Sequence, residues 1–471
     1  MTDMDLFDSI SPLDYRYYGR DAKIFGTLQP YLSENARIRY QAKVEAAFVQ
    51  ALAQRHICSS KIADEITHAC SKVTTEEVYA EEDRIRHDVR ALVNCITRRV
   101  SDDAKPFVHL GLTSFDVIDT ANALRYKQFI QNVLVPALME LEETLMKMAL
   151  AEKDTVQIGR THGQHAEPIT FGLFVAGYVS RLGSRIEAIQ DASDKLAGKC
   201  SGAVGAYNAL SMLMADPLQL EADVMQRLGL LSSVSSTQIV EPEPLTDLSH
   251  ALVSTMGVFA NLSDDFRNLQ RSEIGEVQEA FGSQQVGSST MPHKRNPWNF
   301  ENVKSFWKAF MPRMTTAYMD QVSEHQRDLT NSASSRFWPE TLGGLYITCS
   351  RLTKILPSVT VDHARMNENL AQSAGLVIAE PLYILLASMG HSDAHETARR
   401  LSMAAHDAGT SVLAQAQQDP FLAPYLSRWT PQQRAVLSDP RNYTGRATEK
   451  TERIVREWTQ KLKMNPAEKR V

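Results

Sequence analysis

Apolar residues recur at helical spacing through the central part of the chain. One stripe runs through residues 133–150 and a second through residues 169–191, with apolar positions three and four apart in both. This spacing is typical of amphipathic helices. The clearest pattern occupies residues 245–270, where two sets of apolar positions alternate in heptads and Thr255 is the one exception. The two sets are Leu245, Leu252, Phe259 and Phe266, and Leu248, Leu262 and Leu269.

The 245–270 pattern predicts a helix of roughly 40 Å. A helix of that length exceeds the usual length in globular proteins and needs packing partners along its whole extent. A long helical bundle supplies such partners, and its apolar seam could be shared between subunits. No region of the sequence is rich in strand signals. We therefore predict an all-α fold.

The helical pattern divides the chain into three parts. Residues 1–113 mix shorter helices with loops, residues 114–361 hold the long helices, and residues 362–471 return to shorter and more polar segments. A chain of 471 residues is too long for one ordinary hydrophobic core. The sequence therefore predicts three helical domains with these boundaries, the middle one built around the long bundle.

The composition narrows the class of protein. Hydrophobic residues make up 43% of the chain and charged residues 23%, which is typical of a soluble globular protein. The formal net charge of −6 gives no reason to expect nucleic acid or an anionic membrane as a partner. The N-terminus lacks the apolar core of a signal peptide, and no apolar run approaches the length of a membrane span. We predict a cytoplasmic protein.

Cysteine and histidine spacing gives no sign of a metal site. The five cysteines form no CxxC or Cys/His pattern, so we expect buried free thiols in a reducing compartment. His162 and His165 lie three residues apart, where they could be two metal ligands, but no third ligand accompanies them. We therefore expect no metal.

The densest group of polar side chains lies in residues 282–297, between two helical regions. Between Gly287 and Pro297 only Met291 offers a large apolar side chain, so packing cannot be the main purpose of this loop. Its polar side chains are Ser288, Ser289, Thr290, His293, Lys294, Arg295 and Asn296. Hydroxyls, backbone amides near a glycine and a lysine together favour developing negative charge. We therefore predict a loop that binds an anionic group.

Two further segments have both a structural and a functional interpretation. Residues 84–88 lie in a predicted helical run, 77–97, where their charges could form a solvated face or contact a phosphate or carboxylate. Thr113 and Ser114 suit a helix N-terminus, where their hydroxyls could cap the helix or bind an anion. The residues alone leave these alternatives open.

Two more segments carry arginine or histidine beside hydroxyl groups. The segment 160–165 precedes a helix start at Pro168, so it predicts a loop that enters a helix. Arg327 and Arg336 lie nine residues apart, separated by hydroxyls and Asn331. The guanidinium fork of arginine binds phosphate in a bidentate manner. This segment therefore fits a nucleotide phosphate better than a packed face.

The loop at 287–297 resembles GSSxMPxKxNP, the signature of the fumarase/aspartase superfamily, whose members eliminate fumarate from succinyl-type substrates. Within that superfamily the chain resembles the adenylosuccinate lyases in the segments SPLDYRY, RHDV, HLGLTSFDVIDT, GRTHGQHAEPITFG, STQ and HQRDLTNSASSR. The matches span residues 11 to 336. The resemblance implies that the long-helix domain forms the core of a homotetramer, that sites are shared between subunits, and that no cofactor is needed.

The resemblance also implies roles for individual residues. Ser288 is the expected base, His162 the expected acid, and Lys294 and Asn296 the expected stabilisers of negative charge. The other residues expected to bind substrate are Arg16, Tyr17, Arg86, His87, Asp88, His109, Thr113, Ser114, Thr161, Gln238, Ser289, Arg327, Ser332 and Arg336. A serine hydroxyl is a poor base unless its surroundings activate it. We therefore expect loop amides and Lys294 to favour the Ser288 alkoxide.

The reaction implied is β-elimination of fumarate from adenylosuccinate to give AMP, and from SAICAR to give AICAR, in purine nucleotide biosynthesis. Another lyase of the superfamily, such as an argininosuccinate lyase or a cycloisomerase, is the alternative enzyme. A non-catalytic helical assembly protein is the alternative from another class. Residues 239–245 replace a basic stretch of many bacterial members, and Asn331 and Ser335 also depart from the family pattern. These departures concern substrate contacts rather than the elimination.

Overall fold

The computed structural model describes residues 5–282 and 284–464. Helices account for 66% of these described residues and strands for 5%, which confirms the predicted all-α class. In the first half of the chain the α-helices are α1 (Ala22–Leu32), α2 (Glu34–Gln54), α3 (Ser60–Lys72), α4 (Thr75–Ile85), α5 (Asp88–Thr97), α6 (Ser114–Phe129), α7 (Val135–Ala151), α8 (Phe171–Asp194) and α9 (Pro217–Leu228). In the second half they are α10 (Glu243–Leu269), α11 (Trp298–Phe310), α12 (Arg313–Asp320), α13 (Trp338–Ile355), α14 (His363–Val377), α15 (Ala379–Ser388), α16 (Ala394–Ala408), α17 (Val412–Gln418), α18 (Ala423–Leu426), α19 (Pro431–Ser438) and α20 (Ala447–Lys461).

Three pairs of short strands accompany the helices. They are the antiparallel pair β1 (Val156–Thr161) and β2 (Gln164–Thr170), the parallel pair β3 (Ala197–Gly198) and β4 (Leu231–Ser232), and the antiparallel pair β5 (Val277–Gln278) and β6 (Thr360–Val361). Only β1 and β2 exceed two residues. The hairpin that they form occupies a segment for which the sequence predicted a loop.

The three predicted long helices are present. α7 covers the 133–150 pattern and continues α6 through a π-helical turn at Ile130–Leu134, α8 covers the 169–191 pattern, and α10 covers the 245–270 pattern. Of the seven seam positions in α10, six are buried by residues of this same chain and Leu245 is partly buried. The seam therefore needs no second subunit, and the predicted homotetramer rests on the family resemblance.

The chain divides into two compact units. The first unit comprises Met1–Met139, Ser184–Phe259 and Ser305–Ser350, and the second comprises Glu140–Gly183, Ala260–Lys304 and Arg351–Val471. Each unit therefore collects three separate segments of the sequence. The three domains predicted from the sequence, with boundaries near 113 and 361, stay a prediction.

The core of the first unit centres on α2. This helix begins after Ser33, whose hydroxyl accepts the amide of Ala36, and it packs against α1, α3, α6 and α9. Phe48 and Leu52 of α2 are fully buried, and each such side chain stabilises the fold by about 2 kcal/mol. Because α6 packs on this core, its N-terminus at Ser114 has a fixed position.

An aromatic core in the second unit fixes the ends of two functional segments. Phe266 of α10 contacts Phe171, Phe174 and Phe300, with ring centroids 6.2, 6.0 and 5.2 Å away. Phe171 opens α8 directly after β2, and Phe300 lies in the first turn of α11, directly after the 282–297 loop. The hairpin and the loop therefore both lead into this core.

A second core of the same unit is formed by the C-terminal helices. It includes Leu382, Leu386, Leu401 and Trp429. By length and composition the helical stretch His363–Ser388 is apolar enough to cross a membrane, since its most apolar window of 18 residues has a mean hydropathy of 1.6, so the prediction that no apolar run approaches that length was wrong. Leu382 and Leu386 are fully buried here, and 28% of that window is buried in all.

The five cysteines, Cys58, Cys70, Cys95, Cys200 and Cys349, are all free and buried, as the sequence predicted. Burial raises the pKa of the Cys58, Cys70 and Cys200 thiols. These thiols therefore stay protonated near neutral pH, and the thiolate that would react is scarce.

Candidate active site

The segment that carries His162 is a β-hairpin rather than the loop predicted from the sequence. His162 and Gly163 form its two-residue turn between Thr161 and Gln164, with φ of 55° and 76°. Positive φ at both positions is what a type I′ turn requires, and this turn matches the twist of paired strands. The prediction was wrong because strand pairing satisfies the backbone of this segment, and α8 begins only at Phe171. His162 and Thr161 are exposed at the tip.

A fully buried carboxylate supports the first strand of this hairpin. Glu276 accepts hydrogen bonds from Gln157 Nε2 at 2.7 Å, from the two terminal nitrogens of Arg160 at 2.8 and 3.2 Å, and from Asn369 Nδ2 at 2.8 Å. An arginine fork on a carboxylate is both strong and directional. Because Gln157 and Arg160 belong to β1, these bonds fix the strand that leads to His162.

His165 lies on the second strand and is bonded to α14. Its Nδ1 is 2.8 Å from Ser373 Oγ. Burial, and then the charge of Arg160, lower the pKa of His165, so its imidazole is neutral near pH 7. The role of His165 as a neighbour of the acid stays a prediction.

Ser288 lies in a turn that directs two backbone amides at its hydroxyl. Its Oγ accepts the amide of Met291 at 3.0 Å and the amide of Thr290 at 3.3 Å. Two N–H donors on one oxygen favour the negatively charged form of that oxygen. Ser289, in contrast, is exposed. The geometry therefore distinguishes the two serines, which the sequence alone could not do.

The two ends of the Ser288 loop approach each other closely. Asn296 Nδ2 donates to the Gly287 carbonyl at 2.9 Å. A Cβ on Gly287 would lie 2.1 Å from the Lys294 carbonyl oxygen, so this approach requires glycine. The Lys294 side chain is exposed. The loop thus closes through its backbone and one amide side chain, and the lysine is directed to solvent.

The helical run predicted for 77–97 is broken. α4 ends before Arg86, which takes a left-handed conformation with φ of 58°, and His87 caps α5 by accepting the Arg90 amide at 3.2 Å. Arg86 and His87 are exposed, and Asp88 is partly buried. The prediction of one continuous helix was wrong because the left-handed residue ends α4 and the His87 side chain starts α5.

His109 rests on a carboxylate of α2. Its Nδ1 lies 2.6 Å from Glu45 Oε1, and the Glu45 side chain is only 1% exposed. Burial opposes a charged ring, but the charge and hydrogen bond of Glu45 outweigh it and raise the pKa of His109. His109 therefore carries positive charge over more of the neutral pH range, which suits a residue expected to bind an anionic substrate.

Thr113 and Ser114 lie at the N-terminus of α6, as predicted. The Thr113 amide donates to Asp116 Oδ2 at 2.8 Å, which is half of a capping box. The Thr113 and Ser114 side chains are partly exposed. The backbone of this terminus is therefore capped by Asp116, and the two hydroxyls still reach the surface.

Gln238 lies in an irregular segment between β4 and α10. Its amide donates to the Gln326 carbonyl at 3.2 Å, and the Val240 amide donates to Asp119 Oδ2 at 3.1 Å. Burial raises the pKa of Asp119 to about 6. The segment that departs from the family pattern is therefore tied to α6 on one side and to the residue before Arg327 on the other.

Arg327 has a strained backbone, with φ of 101°. Such a conformation costs on the order of 1–3 kcal/mol and is found mainly at functional sites. Both terminal nitrogens of Arg327 lie 3.4 Å from the Asp320 carbonyl. Arg327, Ser332 and Asp119 line one cavity of about 130 Å³. Arg336, in a 3₁₀ turn, is exposed and is not among the described residues that line this cavity.

The N-terminal pair Arg16 and Tyr17 lies in a π-helical turn, Tyr15–Gly19. The Tyr17 ring contacts Phe306 of α11 edge to face, with centroids 4.7 Å apart. Arg16 is exposed. The turn therefore anchors the tyrosine and directs the arginine to solvent.

Sequence reasoning missed the buried charged residues that support these segments. They are Asp116, Lys199 and Glu276. Each is a single charged residue in an ordinary local context, and its burial results from tertiary contacts. Asp116 lies within the matched segment HLGLTSFDVIDT, so that segment was the one available signal.

The donor set of the site suits proton transfer. Among residues 5–282 and 284–464, no group of three or more His, Cys, Asp or Glu side chains could hold a metal ion. The predicted site residues offer hydroxyl, imidazole, amide and cationic groups. Groups of these types transfer protons and stabilise negative charge.

Comparison with known families identifies the class of protein. A family model described as lyase matches residues 16–309, and a model described as adenylosuccinate lyase C-terminal matches residues 323–418. The first match covers more than half of the chain. These matches define a lyase of the fumarase/aspartase superfamily.

The similarity to curated adenylosuccinate lyases extends over nearly the whole chain. The chain is 33% identical to that of Archaeoglobus fulgidus over 95% of this chain and 98% of the relative. It is 34% identical to that of Pyrococcus abyssi over 95% of this chain and 97% of the relative. The chain belongs to the adenylosuccinate lyase family.

Solved structures of other enzymes share the fold. A 3-carboxy-cis,cis-muconate lactonizing enzyme from Pseudomonas putida matches with a TM-score of 0.79 at 25% identity, covering 92% of this chain and 97% of that one. A fumarate lyase from Mesorhizobium sp. BNC1 matches with a TM-score of 0.80 at 22% identity, covering 91% and 97%. At 22% identity the second likeness shows the fold alone.

Proposed function

We propose that this chain eliminates fumarate from adenylosuccinate, giving AMP, and from SAICAR, giving AICAR. Membership of the adenylosuccinate lyase family supports this reaction. The observation that carries the proposal is the pair of amides, from Thr290 and Met291, that donate to Ser288 Oγ. Such a pair can stabilise an alkoxide.

Ser288 is the proposed base. Its alkoxide takes a proton from the carbon beside a carboxylate in the succinyl group. The electron pair left on carbon delocalises into that carboxylate, where Lys294 and Asn296 are the proposed stabilisers. The loop amides lower the free energy of the alkoxide, which a free serine hydroxyl could not form near neutral pH.

His162 is the proposed acid. As the C–N bond breaks, its imidazolium gives a proton to the departing nitrogen, and fumarate and the aminated nucleotide are released. The type I′ turn and the Glu276 bonds fix the strand that presents His162, which favours a defined proton-donor geometry. The elimination is redox-neutral, so we propose that it proceeds without a cofactor.

The nucleotide phosphate is proposed to bind Arg327, Ser332 and Arg336. The strained backbone of Arg327 supports a functional role, because such strain is retained mainly where function requires it. Thr113 and Ser114 are the proposed contacts for a substrate carboxylate. Their hydroxyls at a helix N-terminus suit an anion.

We propose a cytoplasmic homotetramer in which each site takes residues from more than one subunit. The resemblance of residues 11 to 336 to the family supports this assembly. The composition, which is typical of a soluble globular protein, supports the location.

A fumarate absorbance assay with the purified chain and adenylosuccinate tests the proposed reaction. We expect fumarate release with a kcat/KM in the ordinary enzyme range, about 10⁴–10⁸ M⁻¹s⁻¹. Argininosuccinate and 3-carboxy-cis,cis-muconate are the competing substrates, the second because of the likeness to the lactonizing enzyme. Faster turnover of either competitor would replace the proposed function, and turnover of none would favour the assembly protein.

A further inference from the structure

A buried ion pair lies beneath several of the proposed substrate contacts. Asp116, in the first turn of α6, and Lys199, just after β3, are both fully buried and form an ion pair. Removing two charges from water costs several kcal/mol per ion, and their attraction repays this only when further hydrogen bonds satisfy both groups. Replacing such a pair by apolar side chains is often neutral or stabilising. Stability alone therefore does not explain it.

The Asp116 carboxylate gathers backbone amides from two segments. It accepts the Thr113 amide at 2.8 Å, the Ser201 amide at 3.1 Å and the Gly202 amide at 3.2 Å. With the ammonium of Lys199, these donors occupy the roughly four acceptor positions of a carboxylate. One side chain thus joins the N-terminus of α6 to the loop that begins at Ser201.

Lys199 is held by both its side chain and its backbone. Its Nζ donates to Asp116 and, at 3.1 Å, to the Gly202 carbonyl. Its amide donates to Thr120 Oγ1 at 2.9 Å, and Thr120 Oγ1 donates to its carbonyl at 3.1 Å. Thr120 lies one turn after Asp116 on α6. The position of Lys199 is therefore set mainly by α6, with one further bond to its own loop.

The loop that this pair organises contacts the segment of Gln238. Ser201 Oγ and Ser236 Oγ share a hydrogen bond of 2.7 Å. Gly205 has φ of 76°, and a Cβ there would lie 2.0 Å from the Ser236 carbonyl oxygen. The two backbones thus approach as closely as glycine permits. The position of Gln238, two residues further on, therefore depends on this loop.

We propose that the Asp116–Lys199 pair positions two parts of the substrate site, the Thr113–Ser114 terminus and the Gln238 segment, relative to each other. The inference rests on the proposed function, since those residues are the proposed substrate contacts. Neither member of the pair touches substrate, because both are enclosed. Loss of the pair should therefore weaken substrate binding without removing a reacting group.

Lys199→Met tests the pair by removing the charge and the donor while keeping an unbranched side chain. We expect the folded variant to show a KM for adenylosuccinate raised by about tenfold or more, with a smaller fall in kcat, because binding is lost while Ser288 and His162 are untouched. Hydrogen exchange without substrate should be faster at the amides of 201–206 and 236–240, because their tether is lost.

Arg55→Met is the matched control. Arg55 and Asp223 form a partly buried pair at 2.6 Å, and neither residue belongs to the proposed site. This variant should lower Tm and keep the wild-type KM. A wild-type KM in folded Lys199→Met would overturn the proposal, whatever its Tm.

A double variant and hydrogen exchange make the test decisive even if Lys199→Met does not fold or the proposed function is wrong. If Lys199→Met does not fold, the double variant Asp116→Asn/Lys199→Met replaces it, because it buries no charge. A raised KM in the double variant supports the proposal, and a wild-type KM overturns it. Fumarate release by the wild type is measured first, and its absence rejects the proposed function. Hydrogen exchange of the variant at 201–206 and 236–240 then tests the positioning role separately from the proposed function. Faster exchange than in the wild type supports the role, and unchanged exchange overturns it.

Discussion

The two segments that carry the proposed catalytic residues are held in different ways. The hairpin of His162 is fixed by strand pairing and by the four hydrogen bonds that Glu276 accepts. The loop of Ser288 closes mainly on itself, through the bond from Asn296 to the Gly287 carbonyl and the amides on the serine hydroxyl. The proposed acid is thus supported by distant residues, and the proposed base by its own loop.

Burial follows the same division. Ile158 and Pro168 of the hairpin are buried. In the loop region Val286 is 80% exposed and Met291 42% exposed. Segments with few buried apolar contacts rearrange at low free-energy cost. We infer that the loop can close over a substrate while the hairpin keeps its conformation, an arrangement that admits substrate and then excludes water.

The largest expected effect is that of Ser288→Ala on turnover. Removing the proposed base should lower kcat by about a thousandfold or more while adenylosuccinate still binds, because proton abstraction alone is lost. Steady-state kinetics and equilibrium binding of adenylosuccinate measure the two quantities separately.

Ser289→Ala is the control for this variant, because Ser289 is exposed in the same loop. It should keep most of the wild-type kcat, and any loss should fall on KM, because Ser289 is expected to bind substrate. If Ser288→Ala retains more than a few per cent of the wild-type rate at saturating substrate, the base is Ser289 or another group, and the two amides on Ser288 serve only the loop conformation.

Glu276→Gln tests the support of the hairpin. The amide cannot accept the full set of bonds and leaves the Arg160 charge without its carboxylate. Breaking a buried pair in this way costs about 3–5 kcal/mol of stability, and we expect kcat to fall by about 10–100-fold because His162 loses its defined position. Denaturant unfolding and kcat of the folded fraction measure the two effects.

The matched control for the hairpin is Glu452→Gln. Glu452 pairs with Lys153, just before β1, but both side chains are substantially exposed, at 45% and 34%. This variant should leave kcat unchanged. An equal loss of kcat in both variants would show that any charge change near the hairpin disturbs the site. Glu276 would then have no particular role in positioning His162.

Mixed tetramers test whether the loop and the hairpin that act together belong to one chain. His162→Ala and Ser288→Ala should each be inactive, yet co-refolding them in equal amounts should restore up to about a quarter of the activity, since random mixing gives that share of sites with both residues intact. Native mass spectrometry verifies that mixed tetramers form. Mixed tetramers without activity would place both residues of each site in one chain.

Periodicity was a reliable guide where helices pack within the chain. α7, α8 and α10 coincide with the three predicted apolar stripes, because the residues of those stripes are buried within this chain. Periodicity gave no signal for the hairpin at 156–170, because its strands are short and pair through a two-residue turn, and the helix start at Pro168 predicts a loop there instead. It failed again at Arg86, because a left-handed arginine has no signal of its own in the sequence.

The features of the candidate site also differ in whether the sequence could predict them. The polar loop motif predicts local geometry, such as amides near Ser288, because the interacting groups are adjacent in the chain. Glu276 could not be predicted, because its partner Gln157 lies 119 residues away. Asp116 is similar, since its contact with Lys199 spans 83 residues. Burial of a lone charged residue becomes visible only when tertiary contacts are known.

The smallest expected effect on activity concerns a second buried carboxyl group of the same unit. Glu142, on α7, is fully buried, and neither of its oxygens has a hydrogen-bond partner within the described part of the chain. Burial raises the pKa of Glu142 to about 9, so the group is protonated near neutral pH. Glu142 thus contrasts with Glu276, whose two carboxylate oxygens both accept hydrogen bonds.

Glu142→Gln should therefore stabilise the fold as the pH rises. The folded pKa of about 9 exceeds the unfolded value of about 4.3, so the contribution of Glu142 is fully present below the lower value and is lost as the pH rises through the higher one. The amide does not titrate, so the variant should gain a few kcal/mol on the wild type between pH 5 and pH 9, with unchanged kcat. Denaturant unfolding across that range measures the gain. A gain in unfolding free energy that is independent of pH would mean that Glu142 is ionised in the folded state. A loss of stability resembling that of Glu276→Gln would mean that the difference in hydrogen bonding does not make the two carboxyl groups behave differently.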